Sequence, residues 1–277
     1  MTRSVTKLVI LALALASLAS AQTTPSRQAQ HGFSNQPAQM DAIGPVAYVQ
    51  APPTNYRYPD GLTYVYNAEW RLFTAGTASL RLEAAGDQQK VVAGADSAGV
   101  VSLLYAVHDR FESYFDRRTF CSQRIYKHTE EGFHKKDTNI RFDYPSRKAV
   151  LDERNLKNNK TKNAQEDIPG CVVDVLSGIY YVGSLPLQMG ANYTFPVNDG
   201  GKTMQVRATV EAREQVKTDA GTFNTIRVRT DEVSGVMKKR GSVWIWYTDD
   251  PSRMPVQMRA RAFWGTLNFK LTRVERK

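Results

Sequence analysis

Asp249 and Asp250 stand side by side just after Trp244 and Trp246, in the stretch SVWIWYTDDPSRMPVQMRA (242–260). Paired carboxylates beside an aromatic platform are the parts of a glycoside hydrolase site. One carboxyl serves as acid and the other as base or nucleophile, roughly 5 to 9.5 Å apart. The same residues have a plainer use. Short acidic side chains bond to local backbone and the Pro251 ring fixes φ, so Asp249-Asp250-Pro251-Ser252 also reads as a turn between two strands. The apolar runs on either side favour the turn, and a carboxylate-based hydrolase is the less favoured alternative.

Other catalytic constellations are absent from the sequence. There is no GxSxG elbow for a serine nucleophile. His108 and Asp109 are adjacent on a strand-like segment, which sends their side chains to opposite faces. His128 and His134 flank Glu130-Glu131-Gly132, but no third nitrogen or sulfur ligand accompanies them, and zinc sites show clearer spacing. They read as residues of a hairpin tip, and no metal is expected. Neither GxGxxG nor a P-loop occurs, so no nucleotide cofactor is expected. No residue is assigned a catalytic role.

The elements that must position any site start after a leader. Arg3 and Lys7 precede the apolar run Leu8–Leu18, and Ala19-Ser20-Ala21 is a small-x-small cleavage site. Residues 1–21 are expected to be a signal peptide. The run is short for a bilayer span, and no later stretch approaches spanning length. The mature chain is therefore expected to be exported, periplasmic or extracellular, with no transmembrane span. Residues 22–55 are rich in Gln, Pro, Ser and Thr and read as a flexible polar tether. Residues 56–277 form a single β-rich domain. Two cysteines in an exported chain favour one disulfide, Cys121–Cys171. Its loop of about fifty residues corresponds to roughly 4 kcal/mol in the chain-entropy model.

Period-two alternation marks strands over LTYVYNAEWRLF (62–73), TASLRLEAA (77–85) and QQKVVAGADS (88–97), with Thr74-Ala75-Gly76 as a turn. AGVVSLLYAV (98–107) fits either a strand or a helical turn. HDRFESYFD (108–116) alternates imperfectly through Phe111 and Tyr114. A hairpin bends at Glu130-Glu131-Gly132, and PSRK (145–148) is a second turn. AVLDERNLKNNKTKNAQED fades into a charged loop. CVVDVLSGIYYVGSL (171–185) places Val172, Val175, Leu176, Ile179 and Tyr180 on one helical face. Strands then resume to the end. The fold class is mainly β: a large curved antiparallel sheet, half-barrel or open barrel, wrapping one main helix.

Net charge is +10 for the whole chain, and residues 117–163 carry 13 Lys and Arg against 6 Asp and Glu. A solvated sheet face accounts for such a cluster. It also suits an anionic envelope surface, such as lipid headgroups or acidic glycans. Nucleic acid is excluded as a partner by export and by the absence of any nucleic-acid motif.

Tyr64, Tyr66, Trp70, Trp244, Trp246 and Trp264 all fall on expected strands and are candidate ligand-binding residues. Their plain reading is a packed core. Trp244 and Trp246 share one strand face, and Val243, Ile245 and Tyr247 share the other, so this strand is covered twice. One cover is expected to be the helix; a ligand, the tether or a partner could supply the other.

Three motifs add a resemblance. Asp174, Leu176, Ser177, Tyr180, Pro186, Leu187 and Gly190 in DVLSGIYYVGSLPLQMG form a helix-to-turn motif. Glu214, Val216, Thr218, Gly221 and Phe223 in EAREQVKTDAGTFNTIRV form a strand–turn–strand motif. Trp246, Asp250, Arg253, Pro255, Val256 and Gly265 form the C-terminal one. With these in order over residues 60 to 275, the chain resembles the exported bacterial family labelled domain of unknown function 3108. The resemblance implies export and a β-rich fold, and transfers no catalytic residues. At the level of architecture the chain is also similar to the periplasmic lipoprotein carriers, which hold acyl chains in a half-barrel. The expected function is non-enzymatic binding of an apolar or amphipathic ligand, a lipid or lipid-linked glycan. The alternative is an envelope scaffold or assembly factor that docks a protein or glycan.

Overall fold

Alternation of apolar and polar side chains produces a chain of strands with one dry face, and this chain builds fifteen of them into a single sheet. The computed structural model describes residues 47–70, 73–233, 241–262 and 265–276. The elements run β1 (Leu62–Trp70), β2 (Phe73–Ala85), β3 (Gln88–Ser97), α1 (Gly99–Leu104), β4 (His108–Asp116), β5 (Ser122–Glu131), β6 (His134–Asp143), β7 (Lys148–Asn155) and β8 (Thr161–Asp167). They continue with β9 (Val173–Asp174), α2 (Val175–Ser184), β10 (Asn192–Asp199), β11 (Lys202–Thr218), β12 (Gly221–Glu232), β13 (Ser242–Thr248), β14 (Pro255–Ala262) and β15 (Gly265–Arg276). The signal peptide and most of the tether expected from the sequence lie outside the described residues.

The strand order is β8-β7-β6-β5-β4-β3-β2-β1-β15-β14-β13-β12-β11-β10-β9. Two meanders meet where β1 pairs with β15, and every neighbour is antiparallel except β9 against β10. The sheet is open and curved, as the sequence pattern predicts. Its concave face and α2 share one core that includes Tyr64, Tyr66, Leu82, Val91, Leu176 and Tyr181. A second, smaller core of Ile125, Ile140, Phe142, Leu151, Ile168 and Val172 lies under β5 to β7. The basic region therefore has an apolar inner face of its own.

Four local expectations change. Residues 148–167 are not a loop: β7 and β8 pair from Lys148↔Asp167 to Arg154↔Thr161. Ala149 and Leu151 alternate inward on β7, while β8 is exposed almost throughout. A charged edge strand carries little hydrophobic signal because its side chains deter further pairing. Thr74-Ala75-Gly76 lies inside β2, since Trp70 already pairs with Phe73. Gly76 is needed there for close approach: a Cβ would meet the Asp96 carbonyl oxygen at 2.1 Å. In β4 the inward residues are Asp109, Phe111, Ser113 and Phe115, so Tyr114 faces out under Lys90. The helix starts at Val175, because Asp174 caps it and Val173–Asp174 pairs with β10. The ambiguous stretch 98–107 holds the short helix α1.

Candidate functional site

The tyrosines of the core fix α2 in the concavity. Tyr247 donates its hydroxyl to the Ile179 carbonyl at 2.6 Å, and Tyr66 donates to the Pro255 carbonyl at 2.8 Å. Burial pushes both phenols well above the usual tyrosine range. From the incoming segment, Tyr56 donates to the Tyr180 carbonyl at 3.5 Å and the Gln50 N–H donates to the Tyr181 hydroxyl at 3.1 Å.

Asp174 fixes the start of the helix. It is fully buried, as are Ser113, Ser122 and Ser177 around it. Its Oδ2 accepts from the Ser113 and Ser122 hydroxyls at 2.6 Å and from Ser177 at 2.9 Å. Its Oδ1 accepts the backbone N–H groups of Leu176 and Ser177 at 2.9 and 3.2 Å. An N-cap carboxylate satisfies orphan donors of the first helical turn and suits the positive end of the helix dipole. The Cys121–Cys171 disulfide clamps the same junction, since Ser122 follows one cysteine and Asp174 lies three residues after the other.

With α2 held this way, a cavity of about 150 Å³ remains between its Val175, Gly178, Ile179 and Val182 face and the sheet. Small residues leave the space: Ala78, Ala93, Ala260 and Gly178 stand where larger side chains would fill a core. A 150 Å³ apolar cavity is of the size that holds benzene in an engineered protein. Two carboxylates reach its wall, Asp174 and Asp199. Asp174 is saturated by the bonds above. Asp199, only 3% exposed, accepts Lys127 Nζ on Oδ1 at 2.6 Å. This ion pair spans the concavity from β5 to β10, two strands that are not neighbours in the sheet.

The structure distributes five of the six candidate aromatics over several places. Tyr64 and Tyr66 are buried in the concave core, and Tyr66 lines the cavity. Trp70 ends β1 against Gly265, where a Cβ would come within 3.0 Å of its Nε1. Val243 and Ile245 line the cavity, which places Trp244 and Trp246 on the opposite face. There they flank a hollow of about 300 Å³ with Arg227, Arg259 and Arg261. Trp244 Nε1 donates to Glu211 at 3.2 Å, and Trp246 Nε1 donates to Glu214 at 2.6 Å. The Arg259 guanidinium lies 5.2 Å from the Trp246 ring centroid. Trp264 lies outside the described residues.

The paired aspartates form the β13–β14 turn. Asp249 bonds to Arg213 and, at 3.4 Å, to Arg253. Asp250 Oδ1 accepts the Ser252 N–H at 2.8 Å and the Thr248 hydroxyl at 3.1 Å. Burial pushes the Asp250 carboxyl up, but bonds from Ser252 and Thr248 outweigh it and hold the group below the usual carboxylate range. His108 pairs with Asp96 at 3.0 Å while Asp109 turns inward. His128 sits between Asp137 at 2.6 Å and Glu130 at 3.2 Å. Among the described residues, no group of three or more His, Cys, Asp or Glu side chains could hold a metal ion.

A different carboxyl pair does converge. Asp109 and Glu131 hydrogen-bond to one another, buried where α1 meets the β5–β6 turn. Burial raises both, and the Asp109 charge raises Glu131 further. Sequence reasoning missed this pair because cross-strand partners twenty-two residues apart leave no local motif. Lys127 and Asp199 lie 72 residues apart on strands that are not neighbours, and leave no motif either. Gly178 and Ala260 were missed because a small residue announces a void only once its neighbours are placed.

The open curved sheet, the plugged concavity and the disulfide define an extracytoplasmic protein of β-barrel-like architecture. The chain belongs to the DUF3108 family, described as a protein family of unknown function, whose sequence profile matches residues 65–272. Among solved structures it is similar to a β-barrel-like protein of the domain of unknown function DUF1849 from Brucella abortus. That match has 8% identity and a TM-score of 0.57, covering 83% of this chain and 100% of that one. Two others are more distant. One is an exported-type protein with a YmcC-like fold from Bacteroides fragilis, at 10% identity and TM-score 0.32, covering 80% of this chain and 98% of that one. The other is a lipoprotein-type chain from Parabacteroides distasonis, at 10% identity and TM-score 0.29, covering 79% and 97%. No curated protein matches the chain. Among the described residues, no helix is long and apolar enough to cross a membrane.

Proposed function

We propose that the mature chain, freed of residues 1–21 and led by the tether 22–55, is a periplasmic or extracellular binder of an apolar or amphipathic molecule. It is non-enzymatic in this reading, and its ligand is a lipid or lipid-linked glycan held between α2 and the concave sheet. The observation that carries the reading is the cavity itself. Apolar side chains wall it, and small residues on the sheet and on α2 keep it from being a filled core. The hydrolase alternative loses its first candidates, because Asp249 and Asp250 are committed to arginines and to the turn.

Gly178→Leu tests the reading. A Cβ at Gly178 meets nothing closer than 3.7 Å, so the helix accepts the side chain, which then enters the cavity. Leucine also favours the helix over glycine by about 0.8 kcal/mol. Protein purified from its host should release a lipid-class molecule on organic extraction, and the G178L variant should release several-fold less. Equal yields, or no ligand from either, would overturn the proposal.

The rim of the sheet supports an anionic membrane surface as the place of exchange. Val100, Leu103 and Leu104 on α1 and Phe133 on the β5–β6 turn are all more than two-thirds exposed. The two segments adjoin, since the Gly132 N–H donates to the Ala106 carbonyl at 2.8 Å. Lys157 Nζ lies 5.1 Å from the Phe133 ring centroid, so cation and apolar tip lie together. Vesicles containing phosphatidylglycerol should sediment the protein more than phosphatidylcholine vesicles do, and L103E/F133E should abolish the difference. Equal sedimentation with both lipids would remove this part of the reading.

A further inference from the structure

Resting on the cavity reading above, we infer that Asp199 is the polar anchor of the bound molecule. The anchor selects an apolar chain that ends in a neutral hydrogen-bond donor, a hydroxyl or amide N–H. A carboxylate or phosphate end is excluded.

The buried Lys127–Asp199 ion pair is unevenly bonded. Asp199 Oδ1 accepts Lys127 Nζ, with the two side chains only 2% and 10% exposed. Asp199 Oδ2 is buried and accepts no hydrogen bond among the described residues. A buried carboxylate oxygen left without a donor is costly, so such atoms are nearly always satisfied. Asp199 is also a wall residue of a mostly apolar cavity, where Phe195 and Val197 precede it on the same face of β10. The other carboxylate in the wall, Asp174, has five donors already. The remaining hydroxyl-bearing wall residue on β12, Thr230, gives its hydroxyl to the Val243 carbonyl at 3.1 Å. Ser79 on β2 adds a neutral hydroxyl to the wall, but of the two carboxylates there only Asp199 has an oxygen without a donor.

The charge of the anchor sets the ligand chemistry. Lys127 neutralises the first oxygen, so the pair as a whole carries no net charge. An anionic head group would face a carboxylate oxygen in a low-dielectric site and be repelled. An ammonium would compete with Lys127 for one carboxylate. A neutral O–H or N–H satisfies Oδ2 and leaves the Lys127 bond on Oδ1 in place, with its apolar chain against Val197, Val206, Ile245 and Phe269.

Three six-carbon probes read this out by ligand-observed NMR titration. 1-Hexanol carries the donor, 1-chlorohexane has a similar shape without it, and hexanoate carries the excluded anion. The variant is K127M/D199L, which removes both charges together, since replacing a buried ion pair by apolar residues is often neutral for stability. Wild type should bind 1-hexanol at least tenfold more tightly than hexanoate. The ratio of hexanol to chlorohexane affinity should fall about tenfold or more in K127M/D199L, as for loss of a hydrogen bond to a charged group. Chlorohexane affinity itself should stay within about twofold. An unchanged ratio, or hexanoate binding as tightly as hexanol, overturns the anchor while leaving the cavity reading intact. If wild type binds neither hexanol nor chlorohexane, or if G178L binds chlorohexane as wild type does, the cavity reading fails and the anchor with it.

Discussion

Replacing Asp174 by alanine should be among the most damaging single changes in this protein, and the cost can be worked from its five partners. Losing an N-cap costs about 1 kcal/mol. Of the three hydroxyls that point at Oδ2, Ser122 and Ser177 lie 3.1 Å apart and can bond to one another. Ser177 also has the Asp174 carbonyl at 3.3 Å. Ser113 has only the carboxylate, so one fully buried hydroxyl is stranded, at about 1 to 3 kcal/mol. Charge-assisted bonds are stronger than neutral ones, and the network loses several together. Removing a buried carboxylate returns part of its desolvation cost. The net for D174A is about 4 kcal/mol, a large fraction of the ~5–15 kcal/mol that stabilises a typical domain.

Asp174→Asn should be milder, at about 1 to 2 kcal/mol. Its carbonyl keeps the cap, and its amide can donate to serine hydroxyls that rotate to accept. Equilibrium urea unfolding with the disulfide kept oxidised would measure both. D174A should lower the midpoint by more than about 1 M at unchanged slope, for a slope of ~2 kcal/mol/M. If D174A lies within about 1 kcal/mol of wild type, the junction is not held by this carboxylate and the account of how α2 is placed is wrong.

The disulfide closes a loop across a sequence separation of 50, so C121A/C171A should cost about 2 to 4 kcal/mol in the same assay. Because both devices hold one junction, adding D174A to that variant should depart from additivity by about 1 kcal/mol or more. The Asp109–Glu131 pair predicts a pH effect of defined sign. Both carboxyls are raised in the folded state, Glu131 to about 8, so the folded protein binds more protons than the unfolded chain above pH ~4. Stability should therefore fall as pH rises from about 5 to 8, by up to ~4 kcal/mol for one retained proton. Thermal melts at stepped pH should show this slope in wild type and a flattened one in Glu131→Gln; a variant slope as steep as wild type would rule the pair out as its source.

What the sequence made legible follows from where its periodicity was forced. β1, β2 and β3 bury one face and wet the other, so Tyr64, Tyr66, Leu80, Leu82 and Val91 announced a half-buried antiparallel sheet. The helix was legible because Val172, Val175, Leu176, Ile179 and Tyr180 recur at three and four, but its start was not, since Asp174 caps it and Val173–Asp174 pairs with β10. Asp249-Asp250-Pro251-Ser252 was legible as a turn from local chemistry alone. β8 was hidden, because an exposed edge strand is held by its backbone ladder and its side chains say only that they are charged. The tryptophans show a subtler limit. Alternation correctly separated Trp244 and Trp246 from Val243 and Ile245, but it could not say which face was concave. That assignment depends on α2 packing against Tyr247, and on Gly183, where a Cβ would approach the Tyr247 ring at 3.1 Å. The smaller, plainer side chains thus line the cavity, while the tryptophans sit among arginines and glutamates on the other side. The proposed site, made of absent side-chain volume and one carboxylate oxygen without a donor, has no motif, because such a void exists only once the side chains are packed.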